Sequence, residues 1–378
     1  MRESPPQVHG VSRARLASVM RAALRSTTAR MLDWTWQPLP YHAVLLDRTL
    51  ARVTGSALLD DDRPIQWSSV LKLFSPAAMA EGRRGWHEVL AYRSSMLADL
   101  PGRLRAPRVL GIDEDDDGSV WLWLEDVSDV YGRDWPLAQF GVAARHLGVF
   151  NGAYLVSRAL PTEPWLARSQ TGHSTGPHPV PAALADLMQT VEHAAAQRIF
   201  GGTIWARVAH LMHDQPRFVR IRAELPQTLC HHDTSLANLF AARGPDGQLD
   251  TVAIDWEQPG PGPIGKDAAI LVFGTMRRCE LDAERAIELE QVVFDGYVDG
   301  LREAGWTGSS GHVRLGYLVS LPWSFLANAL REVLAGSPHM QHPSQGWHVS
   351  TDAAIRQWIR LIEFLLDRAE EARRLPAS

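Results

Sequence analysis

Two patterns of apolar and polar positions divide the chain. "SRARLASVMRAALRSTTARML" (Ser12 to Leu32) carries apolar residues at three- and four-residue spacing and predicts an N-terminal helix. From Tyr41 to Phe74 the character changes. "AVLLDRTLARVTGSALLDDDRPIQWSSVLKLF" breaks short apolar runs with Gly, Asp and Pro, as antiparallel strands and hairpins do. "PAAMAEGRRGWHEVLAYRSSMLADL" returns to a helical period, and "RVLGIDEDDDGSVWLWLEDV" sets two apolar strands around the turn-rich "DEDDDG". The predicted sheet is complete near Val127, with one helix inserted before its last two strands.

Helical periods then dominate, in "WPLAQFGVAARHLGVFNGAYLVSRAL" and again from about Ala182 to Asp214, on either side of the connection "SQTGHSTGPHPVPAA". They are interrupted by "LCHHDTSLANLFAARGPDGQLDTVAIDWEQ", where two short strands flank the hairpin-type turn "ARGPDGQLD". From about Lys266 to Arg374 the pattern is again largely helical. The expected fold class is α+β and bilobal: a helical extension over 1–34, a small antiparallel-sheet lobe over 35–127, and a mainly helical lobe over 128–378.

Composition narrows the classes. With 378 residues and 45% hydrophobic content the chain can bury a large core. A net charge of -5 offers no general attraction to nucleic acid or an anionic membrane. No apolar run approaches the roughly 18 residues of a membrane span, and two cysteines without zinc spacing fit a reducing compartment. The expectation is a soluble, cytoplasmic protein. Of 38 basic residues only Lys72 and Lys266 are lysines, so a Lys within the apolar "SSVLKLF" suggests that a compact ammonium is needed there; an edge-strand lysine in water is the plainer alternative.

The candidate chemistry lies in Leu229 to Ala269. His231 and His232 are adjacent and, in extended backbone, face opposite ways, so they are poor partners for one zinc ion. His231, Asp233 and Asn238 form H-x-D-x-x-x-x-N. Phosphoryl transfer to a hydroxyl needs a carboxylate beside the attacking oxygen and a nearby oxygen ligand for the phosphate-bridging metal, and this spacing supplies both on one loop. "TVAIDW" then puts Asp255 at the end of an apolar strand, where a carboxylate can reach a cleft and bind Mg²⁺. Upstream, Glu88 on the predicted helix could hold Lys72 in an ion pair aimed at the α- and β-phosphates, with Glu81 as competitor. "RVTGSAL" offers Thr54, Gly55 and Ser56 to the phosphates, or is a plain turn. Among the 14 tryptophans, Trp121, Trp123, Trp165, Trp323, Trp347 and Trp358 could cage a cation or simply fill a core.

The order Lys72, Glu88, His231-x-Asp233-x4-Asn238, Asp255 resembles the aminoglycoside phosphotransferase and choline kinase family, small-molecule kinases with the protein-kinase-like fold. The resemblance spans about residues 40 to 335. It implies ATP and Mg²⁺ as cofactors, Asp233 as catalytic base, Asn238 and Asp255 as metal ligands, and Lys72 with Glu88 as the phosphate-positioning pair. "LEDV" falls where the family's hinge holds adenine, which implicates Glu125 and Val127, and Asp267 in "PIGKDAAIL" takes a structural place near the catalytic loop. Asp255 is followed by Trp256 and Glu257 where protein kinases have D-F-G, and no A-P-E segment follows, which argues against a protein substrate. The expected partner is a small-molecule hydroxyl acceptor, an aminoglycoside-type antibiotic by resemblance. A sugar, amino alcohol, macrolide or nucleoside is the alternative, and a non-catalytic nucleotide-binding pseudokinase a further one. Acidic positions such as Asp282, Glu284, Glu288 and Glu290 could attract a polycation.

Overall fold

In a computed structural model of the protein, residues 11–39, 48–167, 194–321 and 350–376 are described, together with Leu326, Leu330 and Val333. Helix α1 (Arg13–Leu24) starts where the Ser12 side chain accepts the Arg15 amide and ends at Arg25, whose φ of 52° is left-handed. The helix is therefore shorter than its apolar spacing predicts. The Ser26 hydroxyl captures the amides of Thr28 and Ala29, and such local side-chain bonding competes with helical backbone bonding. Strand β1 (Arg30–Pro38) follows at once, so the sheet begins inside the stretch read as a helical extension.

The sheet is completed by β2 (Arg48–Leu58), β3 (Pro64–Phe74), β5 (Val109–Glu114) and β6 (Val120–Glu125), in the order β1-β2-β3-β6-β5 with every pairing antiparallel. Helix α2 (Arg84–Arg93) is inserted after β3. The two-residue alternation of β3 sends Trp67, Leu71 and Leu73 to one face and Lys72 and Phe74 to the other. The first face meets Leu16, Val19 and Met20 of α1 and includes Trp121 and Trp123. These two tryptophans are therefore core, and the cation over Trp121 is the protein's own Arg15, 5.1 Å from the ring centroid. Trp165 and Trp358 are likewise buried in the main core, while Trp323 and Trp347 lie outside the described residues.

The helical lobe contains α3 (Leu137–Val156), α4 (Ala194–Glu224), α5 (Lys266–Arg277), α6 (Ala286–Glu303), α7 (Ser310–Ser320) and α8 (Thr351–Arg374). Helices α3 and α6 are in backbone contact: a Cβ added at Gly148 would lie 2.2 Å from the Tyr297 carbonyl oxygen, and one at Gly300 2.0 Å from that of Arg145. Short strands line the seam between the lobes. β7 (Gln227–Cys230) pairs with β10 (Gly260–Pro263), β8 (Leu239–Arg243) pairs with β9 (Leu249–Ala253) in the predicted hairpin, and β4 (Leu104–Arg105) runs parallel to β9. The connection "SQTGHSTGPHPVPAA" and, but for Ser350, the segment Ala335 to Ser350 lie outside the described residues. Among the described residues no helix is long and apolar enough to cross a membrane.

Candidate active site

Because β3 turns Lys72 away from α1, its ammonium enters the seam between the lobes. There Nζ lies 2.6 Å from Glu88 Oε1 and 2.5 Å from Asp255 Oδ1. Glu88 reaches it from α2 and is fully buried, whereas Glu81 is exposed, so the geometry selects Glu88 as the partner. Burial pushes the Glu88 carboxyl up to about 7, the Lys72 charge opposing this and the neighbouring Asp255 and Glu257 carboxylates adding to it. Burial also works against ionisation of Asp255, but the Lys72 ammonium, by charge and by hydrogen bond, outweighs it and holds that carboxyl below its usual value. Asp255 adopts a φ of +65°, a left-handed conformation that costs a non-glycine residue on the order of 1 kcal/mol and is characteristic of functional sites.

The loop between β7 and β8 is held from within. His231 donates from Nε2 to the Ile254 carbonyl (2.9 Å) and accepts the Asp233 amide on Nδ1 (3.2 Å), which fixes its tautomer. Its ring packs edge-on against Trp256, with centroids 4.4 Å apart. Asn238 donates from Nδ2 to the Asp233 carbonyl (3.0 Å), and its own carbonyl accepts the Ile254 amide (2.9 Å). Two separate bonds therefore tie the loop that carries Asp233 to the residue preceding Asp255. His231 serves as a strut of this loop.

Asp267, at the start of α5, organises the same loop. Its Oδ2 and Oδ1 accept the amides of His231 and His232, both at 3.0 Å, and its carbonyl accepts the Thr234 hydroxyl at 2.5 Å. Asn151 adds a bond to Oδ2 (3.2 Å) and is itself held by the Tyr297 hydroxyl (2.7 Å). With this support His232 takes a φ of +69°. Cys230, His232 and Asp267 bring ligand-type atoms within 4.8 Å of one another. Both Asp267 oxygens are committed to amides, however, which leaves two donors and falls short of a closed zinc site.

The donor set near Asp255 is different. The Asn238 amide uses Nδ2 on Asp233, so Oδ1 is its remaining group, and Asp255 offers a carboxylate kept ionised. An amide oxygen and a carboxylate suit a hard, oxygen-seeking dication such as Mg²⁺, so the residues fit the ion that the resemblance implies.

Other expected residues are placed elsewhere. Thr54, Gly55 and Ser56 are not a turn: they lie in the middle of β2, paired with β1 on one side and β3 on the other. Lys72 is opposite Leu50, so at about 3.4 Å per residue these three lie roughly 14–20 Å along the strand from it. Gly55 is there because a Cβ would lie 2.3 Å from the Asp33 carbonyl oxygen, and Ser56 hydrogen-bonds to the Asp33 carboxylate. The connection from β1 to β2 covers 39–47, of which 40–47 lie outside the described residues. Glu125, expected at the hinge, ends β6 with its amide on the Arg108 carbonyl (2.9 Å) and its carboxylate on Arg105 (2.8 Å), and Val127 follows half-buried. The acids proposed to attract a polycation are already paired: Asp282 and Glu284 with Arg360, Glu288 with Arg285, and Glu290 with Arg314 and Arg368.

Sequence reasoning missed three residues of the cluster, Glu257, Arg48 and Arg84. Glu257, buried two residues after Asp255, forms an ion pair with Arg48 at the start of β2, and Arg84 approaches its other oxygen at 3.6 Å. Burial and the adjacent Asp255 carboxylate raise the Glu257 carboxyl, against the pull of Arg48. The signal available in the sequence was the "DWE" spacing, which sets two carboxylates on either side of a buried aromatic.

The profile of the phosphotransferase enzyme family matches residues 56–303, which include Lys72, Glu88, the Asp233 loop and Asp255. The chain belongs to the phosphotransferase enzyme family. Its architecture, an antiparallel-sheet lobe followed by a helical lobe, is that family's kinase-like fold. Similar solved structures include amicoumacin kinase hAmiN in complex with AMP-PNP, Ca²⁺ and Ami, at 11% identity and TM-score 0.48 over 90% of each chain. Aminoglycoside phosphotransferase APH(3'')-Id from Streptomyces rimosus is 17% identical, with TM-score 0.42 over 83% of this chain and 99% of that one. A choline/ethanolamine kinase family protein from Mesorhizobium loti is 14% identical, with TM-score 0.44 over 81% and 87%. These likenesses are remote, and membership rests on the profile. No curated protein matches the chain.

Proposed function

We propose that this phosphotransferase uses ATP and Mg²⁺ to place the γ-phosphate on a hydroxyl of a small molecule. The observation that carries the reading is the shared ammonium: Lys72 bridges Glu88 and Asp255, and the loop bearing Asp233 and Asn238 is bonded to the residue before Asp255. Lys72, aimed by Glu88, holds the α- and β-phosphates, and the hinge backbone at Glu125 to Val127 receives the adenine. Asn238 and Asp255 hold Mg²⁺, which supplies neutralisation of phosphate charge. Asp233, half-buried at the head of the loop, orients the acceptor hydroxyl. As the acceptor oxygen bonds to the γ-phosphorus and the β–γ bridging bond breaks, Asp233 takes the hydroxyl proton late and ADP leaves. Most of the acceleration then comes from positioning and charge neutralisation, because a loose transition state asks little of a base.

An aminoglycoside-type antibiotic is the acceptor named first, on family resemblance. The pairing of Asp282, Glu284, Glu288 and Glu290 with arginines removes one argument for a polycation and favours keeping a sugar, amino alcohol, macrolide or nucleoside beside it. Two unpaired cysteines accord with a cytoplasmic setting. The test is incubation with Mg·ATP and representatives of each acceptor class, followed by mass spectrometry of the acceptor. Addition of one phosphoryl group to one class supports the reading and names the acceptor; ATP that binds but transfers to none would favour the pseudokinase.

A further inference from the structure

The segment that follows β9 alternates in what it faces. Trp256 is fully buried in the helical lobe, its Nε1 donating to the Ala253 carbonyl at 2.7 Å. Its two neighbours turn instead to the sheet lobe: Asp255 to Lys72 on β3, and Glu257 to Arg48 on β2 and Arg84 on α2. Two carboxylates two residues apart thus meet three cations from three elements of the other lobe. The Arg48–Glu257 pair is deeply enclosed, with side chains 3% and 7% exposed, and the Arg48 guanidinium also lies over Phe74, 5.3 Å from the ring centroid. This enclosure distinguishes it from a solvated surface pair, where geometry is loose and screening strong.

The positions of the two arginines give the pair its meaning. Arg48 is the first residue of β2, immediately after the β1–β2 connection, and Arg84 is the first residue of α2, one turn before Glu88. His87, between them on α2, is hydrogen-bonded through Nδ1 to the Trp165 carbonyl of the helical lobe. The first turn of α2 is therefore docked on the helical lobe at two points, Arg84 on Glu257 and His87 on the Trp165 carbonyl, and Glu257 is the one that shares a backbone segment with Asp255.

We propose that Glu257 is an interlobe positioning residue of the phosphotransferase site. Through Arg48 and Arg84 it fastens the start of β2 and the first turn of α2 to the segment bearing Asp255, and so sets the separation of Lys72 and Asp255 that a metal-bound nucleotide requires. The inference rests on the reading of Lys72, Asn238 and Asp255 as a Mg·ATP site. It predicts that the arginine latch acts on metal-bound nucleotide in particular, since the adenine is held at the hinge.

The test is calorimetric titration with ATP, in Mg²⁺ and in EDTA, of the unaltered protein, Glu257→Gln, Arg48→Met and Arg48→Lys. Loss of groups that orient metal ligands typically costs 10–100-fold in metal affinity, so Glu257→Gln and Arg48→Met should weaken Mg·ATP by at least about tenfold. Binding of metal-free ATP should change by less than about twofold, and Arg48→Lys, which keeps the charge, should recover most of the loss. Unchanged Mg·ATP affinity in Glu257→Gln and Arg48→Met overturns the inference. So does an equal loss with and without metal, which indicates general damage, or a Lys variant no better than Met. Should Glu257→Gln not fold, Arg84→Met carries the test, because Arg84 is 44% exposed and its replacement is tolerable; weakened Mg·ATP binding supports the latch and unchanged affinity overturns it. Failure of the unaltered protein to bind Mg·ATP overturns the functional reading itself, and the latch with it.

Discussion

Replacement of Asp267 by Asn changes one atom, yet it should disable the loop that carries Asp233. Asp267 is fully buried and its two oxygens accept the His231 and His232 amides, each at 3.0 Å. An asparagine can satisfy one of these amides with its oxygen, but its NH₂ then faces the other amide, donor against donor. Leaving a buried N–H unsatisfied costs about 1–3 kcal/mol, and the surviving bond loses the charge assistance worth about 1 kcal/mol. The Asn151 contact at 3.2 Å is perturbed as well. A loss of about 3 kcal/mol is therefore expected, part of it recovered as His232 relaxes from its φ of +69° at a gain of about 1 kcal/mol. The net is about 2 kcal/mol. Urea unfolding followed by tryptophan fluorescence reads this directly, because Trp256 sits against His231; the midpoint should fall with little change in slope. A variant within about 0.5 kcal/mol of the parent would show that the loop does not depend on this acceptor.

Three further outcomes follow from the same geometry. His146, buried on α3 with Nδ1 on the Thr251 hydroxyl at 2.8 Å, has its pKa pushed down by burial to about 4 from the ordinary 6.5. It folds neutral, so its contribution is present above the unfolded value and is lost as pH falls towards the folded one; compared with His146→Asn, the parent should lose about 2 kcal/mol more between about pH 7 and about pH 4.5, and parallel stability–pH curves would contradict this. Gly300→Val puts a side chain where a Cβ already lies 2.0 Å from the Arg145 carbonyl oxygen, so α3 and α6 must separate at a cost of about 3 kcal/mol or more, measurable as a lowered melting temperature. Asp255→Ala removes a carboxylate from Lys72 and from the Mg²⁺ ligands proposed above, and should raise the Mg²⁺ concentration needed for half-maximal nucleotide binding by at least about tenfold; an unchanged metal dependence would contradict the proposed role of Asp255.

The parts of the candidate site that were legible in the sequence are those written locally. His231, Asp233 and Asn238 share one loop, and a strand delivers Asp255, so spacing alone groups them. Lys72 was visible because the chain otherwise prefers arginine. What spacing cannot express is pairing between distant elements. Glu88 and Glu81 look alike until α2 is docked on β3, and only the fold brings Arg48 to Glu257, 209 positions away. Gly55 shows a second limit. Glycine marks turns and also close approaches between strands, and the requirement here is the Asp33 carbonyl rather than a phosphate. The helix end was hidden for a third reason: the Ser26 hydroxyl stops α1 by bonding Thr28 and Ala29, whereas the apolar spacing continues past it. The bilobal division survived these errors because it depends on the change from period two to helical period, which is spread over many residues.

We propose that Asp233 handles the acceptor while Lys72, Asn238 and Asp255 handle Mg·ATP, and one comparison separates the two roles. The unaltered protein and Asp233→Asn should be titrated with Mg·ATP and then assayed for phosphoryl transfer to the acceptor class that the unaltered protein uses. Asp233→Asn should keep Mg·ATP affinity within about twofold of the parent and lower transfer by at least about a hundredfold. Transfer at the parental rate by Asp233→Asn, or loss of Mg·ATP binding in place of loss of transfer, would contradict it.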